Sequence, residues 1–61
     1  RRSIYTIKDI KKGEKFSALN IKTFRPNLGL SASYYLDIIN KHSPINIKKF
    51  KPLSKKLIRI I

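Results

Sequence analysis

Residues 9–21 and 46–58 of this chain are one short passage written twice. Thirty-seven positions apart, Ile10, Lys11, Lys12, Ser17 and Ile21 recur as Ile47, Lys48, Lys49, Ser54 and Ile58. Asp9 is matched by Asn46, and Phe16 by Leu53. In each copy an isoleucine enters a turn, a large apolar residue leaves it, a serine stands where it caps a helical turn, and an isoleucine closes the unit. A unit this short cannot bury its own apolar side, but two related by a twofold axis can, with residues 22–45 strapping them together. The repeat therefore predicts a pseudo-twofold fold. It is broken at one informative place. Gly13 of the first turn is Phe50 in the second, and since glycine alone takes positive φ without steric cost, the second turn is expected to differ in backbone conformation.

Size narrows the choice further. A chain of 61 residues is one small domain that buries about 60% of the surface its unfolded form exposes. Catalytic barrels and doubly wound sheets need far more chain. With no cysteine, a single histidine (His42) and three acids (Asp9, Glu14, Asp37), a disulfide, a thiolate metal site, a metal cage or a paired-carboxylate centre has almost nothing to be built from. Ser31, Asp37 and His42 lack the apolar pocket and oxyanion device that a nucleophilic triad requires. No apolar run approaches the ~20 residues that span a bilayer, and no signal peptide is visible. The chain has no methionine and opens on Arg1-Arg2, so residues 1–61 are expected to be a piece of a longer protein.

The formal net charge is +12, which favours polyanions without specifying a fold. Lys48, Lys49, Lys51, Lys55, Lys56 and Arg59 form an acid-free basic stretch. A small basic nucleic-acid-binding module is accordingly the competing functional class. Against it, eleven of the fifteen cations are lysine, the point-charge type rather than the bidentate arginine that reads bases. A nucleic-acid partner is therefore not the expectation. Such a module would hold DNA or RNA at physiological salt and lose it steeply as salt rises. Tyr34 and Tyr35 read as half-buried helix residues rather than stacking platforms.

Local signals are short-range. Ile4, Tyr5 and Ile7 make a β-prone run. Lys11-Lys12-Gly13-Glu14 is a tight turn. Ser17 caps a helical turn over Ala18-Leu19-Asn20. Ile21–Phe24 is extended, and Arg25-Pro26 is expected to continue it, because proline pushes its predecessor out of the α region. Pro26-Asn27-Leu28-Gly29 is turn chemistry. One helix is predicted, Ser33 to Lys41, capped by Ser31 or Ser33, with Tyr34 or Tyr35 and then Ile38 and Ile39 on its apolar side. Asn40 suits a left-handed C-terminal position. His42 follows, where a cation suits the helix dipole. The tail from Ile45 is β-prone, with Pro52 as a break.

Several of these passages together resemble a known family. They are Arg2-Ser3-Ile4-Tyr5, Lys8-Asp9-Ile10-Lys11-Lys12-Gly13-Glu14, Asn20-Ile21, Arg25-Pro26-x-x-Gly29-Leu30, Tyr35 with Ile39-x-Lys41, Ile47, and Pro52-Leu53-Ser54. In order and spacing they are similar to the C-terminal SAF domain of bacterial sialic acid (N-acetylneuraminate) synthases, the domain akin to type III antifreeze protein. Phe50 and Asn40 depart from that pattern, where glycines are usual. The resemblance implies a mainly β, β-clip fold with pseudo-twofold symmetry, short strands, 3₁₀ turns and one short helix. It implies a parent synthase, a cytoplasmic transferase, that condenses phosphoenolpyruvate with N-acetylmannosamine or a related N-acetylated sugar. That chemistry would run in a TIM barrel dependent on a divalent metal (Mn or Mg). In this family the C-terminal domain covers the partner subunit's active site in a homodimer, and the arginine of the Arg-Pro element contacts the sugar's N-acetyl group. Here that residue is Arg25. The domain itself is expected to hold no catalytic group, no metal and no cofactor, and to have no membrane partner.

Arg25 suits that role chemically. A guanidinium is permanently charged and offers several donors in one plane, which an amide carbonyl accepts. Pro26 and Gly29 leave the side chain little freedom to lose on binding. The plain alternative is a solvated arginine, one of four in the chain. Ice adsorption, which wants a flat and largely uncharged face, has little room on a surface carrying fifteen cations.

Overall fold

The computed structural model describes residues 1–60. Two four-residue strands, β1 (Ser3–Thr6) and β2 (Ile21–Phe24), pair antiparallel with Ser3 opposite Phe24 and Thr6 opposite Ile21. Side chains alternate across such a pair. Ile4, Thr6 and Ile21 therefore turn to the core, where all three are buried, and Ser3, Tyr5 and Phe24 share the other face. Elsewhere the chain is stitched by single bridges, Ile10 to Ile47, Lys15 to His42, Tyr5 to Pro52 and Ser3 to Ser31. Proline, glycine and lysine interrupt the chain too often for longer ladders. This is the mainly β, β-clip architecture that the resemblance implies.

The hydrogen bonds obey the predicted twofold. At its centre Ile10 and Ile47 exchange both backbone bonds at 2.7 Å. Around them several bonds have a counterpart in which the donor has moved forward, and the acceptor back, by the repeat spacing. Gly13 N donates to Ser43 O (2.7 Å) and Phe50 N to Thr6 O (2.9 Å). Phe16 N donates to Lys41 O (2.8 Å) and Leu53 N to Ile4 O (2.9 Å). Lys12 N donates to the Asn46 Oδ1 (2.7 Å) and Lys49 N to the Asp9 Oδ1 (2.8 Å). The symmetry thus extends beyond the thirteen-residue repeat to pair residues 4–6 with 41–43.

The core is Ile4, Ile10, Phe16, Ile21, Leu30, Ile38, Leu53 and Leu57, with Tyr35, Ile39, Ile47 and Ile58 packed on it. Burying each large side chain contributes roughly 1.5–3 kcal/mol. Both halves supply it, Phe16 and Leu53 occupying equivalent places.

The first turn forms as expected, with Gly13 at φ 88 and Glu14 N donating to Lys11 O at 2.9 Å. The second turn corrects the expectation. Phe50 has φ 63, so the backbone keeps the left-handed form and the phenylalanine bears the strain, on the order of 1–3 kcal/mol. The symmetric bonds to Ser43 and Thr6 impose that conformation on whichever residue stands there.

The helical region also differs. A 3₁₀ turn, Ala32–Tyr34, capped by Ser31 Oγ accepting from Ser33 N (3.2 Å), leads into α1, Tyr35–Ile38. The helix ends three residues earlier than predicted because Ile39 is extended (ψ 134) and Asn40 left-handed (φ 72), while Asn40 N is taken by Phe16 O at 2.9 Å. A tertiary bond to the first repeat wins over continuation. The tail holds a second helical turn, α2 (Leu57–Ile60), where a β-prone run is expected. The repeat itself accounts for it. Ser54 accepts from Lys56 N on Oγ (3.2 Å) and from Leu57 N on its carbonyl (3.0 Å), as Ser17 does for Leu19 N (3.2 Å) and Asn20 N (3.1 Å). His42 does not act on the helix end; its Nδ1 lies 2.9 Å from Gly13 O and ties down the first turn.

Candidate functional site

Arg25 lies at the end of β2. The strand stops at Phe24 rather than continuing through proline, and residues 25 and 26 form a bend whose peptide bond is cis. The bend is fastened from behind by two hydroxyls of β1. Ser3 Oγ donates to Pro26 O at 3.2 Å and accepts from Leu28 N at 3.3 Å, while Tyr5 Oη donates to Pro26 O at 2.8 Å. Ser3 is fully buried, so its two bonds stand where losing either would leave a polar group unsatisfied.

Downstream, Gly29 is needed for close approach rather than for turn geometry. A Cβ there would run into the carbonyl of Leu53, the group that accepts from Leu30 N at 2.8 Å. The loop carrying Arg25 is therefore held at both ends.

The Arg25 side chain is exposed, and among the described residues nothing engages its guanidinium. The acids are placed elsewhere: Asp9 accepts from Lys49 N, Glu14 from Lys11 N at 3.0 Å, and Asp37 lies on α1. Arg25 lines a shallow, mostly apolar depression with Tyr5, Thr6, Phe24 and Phe50. Tyr5 and Phe24 meet edge to face, centroids 6.0 Å apart. The ammonium of Lys22 stands 6.0 Å from the Phe24 ring and that of Lys49 5.2 Å from the Phe50 ring. The site offers a free, planar hydrogen-bond donor beside aromatic surface. That combination binds and orients a polar ligand with an apolar edge; it holds no group that abstracts a proton or attacks a carbon.

Tyr5, Phe24, Phe50 and the hydroxyl of Ser3 are the site residues that sequence reasoning missed. Strand register decides that Tyr5 and Phe24 share a face, and register is not readable from four-residue strands. Phe50 did carry a signal, as the one bulky residue where its repeat partner is glycine.

The remaining candidates do not assemble. Among the described residues no three His, Cys, Asp or Glu side chains stand together. With His42 on Gly13 O and two of the carboxylates on backbone amides, these residues do not fit a divalent metal. Ser31 bonds to Ser33 and not to His42. The cations of 48–59 are all exposed. No helix among the described residues is long and apolar enough to cross a membrane.

Comparison with known proteins gives one consistent result. The profile described as SAF domain matches residues 1–59. Pseudaminic acid synthase of Helicobacter pylori is 45% identical over 53 residues, which are 87% of this chain and 16% of that protein. Pseudaminic acid synthase of Campylobacter jejuni is 47% identical over 47 residues, 77% of this chain and 14% of its own length. N,N'-diacetyllegionaminic acid synthase of the same organism is 45% identical over 49 residues, 80% of this chain and 15% of that protein. The chain thus spans about a sixth or less of the length of the curated relatives it matches.

Proposed function

From the premise that this chain belongs to the SAF domain family, we propose that it caps the substrate site of a sialic-acid-synthase-type enzyme, with Arg25 as the residue that touches the sugar. The parent condenses phosphoenolpyruvate with an N-acetylated amino sugar. The product belongs to the pseudaminic or legionaminic type, in keeping with the relatives' names, rather than being N-acetylneuraminic acid itself. The domain works in a cytoplasmic homodimer, laid over the partner subunit's barrel. Any divalent metal is held by that barrel, since the donors of residues 1–60 do not converge.

The observation that carries this reading is the state of Arg25. The chain just after it is fastened, at Pro26 O and Leu28 N by Ser3 and Tyr5 and at Gly29 by its approach to Leu53, while its guanidinium is exposed and unclaimed among the described residues. A fold that lets a charged group alone yet fixes its base has prepared a donor whose ordering on binding costs little. The donor meets the carbonyl oxygen of the acetamido group and sets the sugar's orientation before condensation.

The test is Arg25→Ala in the full-length enzyme. A hydrogen bond from a charged donor is worth about 1.5–3 kcal/mol, so kcat/KM for the amino sugar should fall about 10- to 150-fold. The KM for phosphoenolpyruvate, the dimer and the melting temperature should stay as they were. Unchanged kinetics would remove Arg25 from the site.

A further inference from the structure

Nothing in the fold asks for a phenylalanine at position 50. Its backbone is left-handed, a conformation that Gly13 supplies without strain at the symmetric place. Phe50 is 68% exposed and lies outside the core. Strain at a residue that does not stabilise its own domain points outward, to what the residue meets.

Phe50 lines the Arg25 depression, to which β1 contributes Tyr5 and Thr6 and β2 contributes Phe24. Three aromatic residues therefore line one depression with Arg25, whose guanidinium is unclaimed among the described residues. An acetamido group carries an acceptor oxygen and a methyl on the same carbon, so a donor set beside an apolar wall satisfies both at once. A phosphate or carboxylate would use the guanidinium and the ammoniums of Lys22 and Lys49 that stand over the Phe24 and Phe50 rings, but would leave the apolar wall wet. A purely apolar ligand would use the wall and leave the guanidinium unanswered.

We propose that Phe50, supported by Tyr5 and Phe24, receives the methyl of the substrate's acetamido group and so determines specificity for N-acetylated over N-formylated sugars. The proposal rests on the reading of Arg25 as the partner of the same group's carbonyl. Arg25 fixes the group's orientation through oxygen, which formyl and acetyl share. Phe50 senses the methyl, which only acetyl has.

The test uses the full-length enzyme and the acetamido hexose it condenses best among N-acetylmannosamine and the 2,4-diacetamido hexoses, with the matching N-formyl sugar as probe. Wild type, Phe50→Gly and Arg25→Ala are compared. Phe50→Gly writes the first turn's residue into the second, so the backbone is retained, and a thermal melt checks that it is. The wild type should prefer the acetyl sugar by a factor of about 4, the worth of burying one methyl-sized group. In Phe50→Gly that ratio should collapse toward one, through a higher KM for the acetyl sugar alone. Arg25→Ala should depress both sugars together. An unchanged ratio in Phe50→Gly overturns the aromatic face even if Arg25→Ala is damaging, which leaves the Arg25 reading standing. Equal loss of both sugars in Phe50→Gly means the ring packs on the parent protein, and overturns it too. A collapsed ratio beside a silent Arg25→Ala keeps Phe50 at the methyl and withdraws the guanidinium.

Discussion

The two turns of this molecule have the same backbone and different jobs. Around Lys11–Glu14 everything closes inward. Gly13 takes its positive φ freely, the Glu14 carboxylate accepts from Lys11 N at 3.0 Å, and His42 covers the Gly13 carbonyl at 2.9 Å. Around Lys48–Lys51 the bonds across the twofold recur, with Phe50 N on Thr6 O and Lys49 N on Asp9 Oδ1, but the groups that close the turn are replaced. The Thr6 hydroxyl donates to Lys48 O at 2.6 Å and accepts from Lys51 N at 3.0 Å, bridging the two groups whose counterparts in the first turn, Lys11 O and Glu14 N, bond directly at 2.9 Å. Tyr5, the symmetric counterpart of His42, leaves the turn and holds the Pro26 carbonyl beside Arg25. One half is finished as structure. The other half spends strain on an exposed ring and lends its tyrosine to the arginine corner. Duplication supplies a stable frame twice over, and the second copy is free to diverge where the first must not.

The largest effects should come where the halves are still alike. Phe16→Ala should cost about 3–5 kcal/mol and Leu53→Ala about 2–5 kcal/mol, enough to unfold much of so small a domain, as read by denaturant unfolding of the 61-residue chain. If only one were destabilising, the shared core would be wrong. Next come the turns, where the signs should oppose. Gly13→Ala has open space around the new Cβ, so its cost is backbone alone, about 1–2 kcal/mol. Phe50→Gly relieves strain at some loss to unfolded-chain entropy, a net gain of up to about 2 kcal/mol. Thermal melts decide it, and destabilisation by both would refute the claim that Phe50 is kept for function. The smallest effects should separate Tyr5 from His42. Tyr5→Phe loses one hydrogen bond, worth about 0.5–1.5 kcal/mol, and should raise the KM for the amino sugar by loosening the arginine corner. His42→Ala should lower the melting temperature without touching that KM. Matching kinetics in the two variants would erase the distinction between the halves.

Much of the fold was legible because its determinants are local or repeated. Gly13 announces its turn, Ser17 its helical turn, and the matched isoleucines and serines the twofold. The departures from local expectation have a common cause. Ile39 and Lys41 suit a helix locally, but Phe16 O captures Asn40 N from across the molecule and the helix stops at Ile38. Arg25-Pro26 suits extended chain locally, but hydroxyls from β1 hold the chain in a bend. The aromatic neighbours of Arg25 come from residues 5, 24 and 50, and nothing in their spacing foretells the meeting.

Sequence alone determined the symmetry, the first turn and the helical caps, since each rests on one residue's chemistry or on identity between two short passages, while Arg25 became a candidate through the resemblance of its Arg-Pro element to a known family. Tertiary structure alone decided that Phe50 would accept a left-handed backbone and that three aromatic residues would line one depression with Arg25. Those outcomes depend on long-range hydrogen bonds and strand register, which impose on a residue a geometry that its own preferences would refuse.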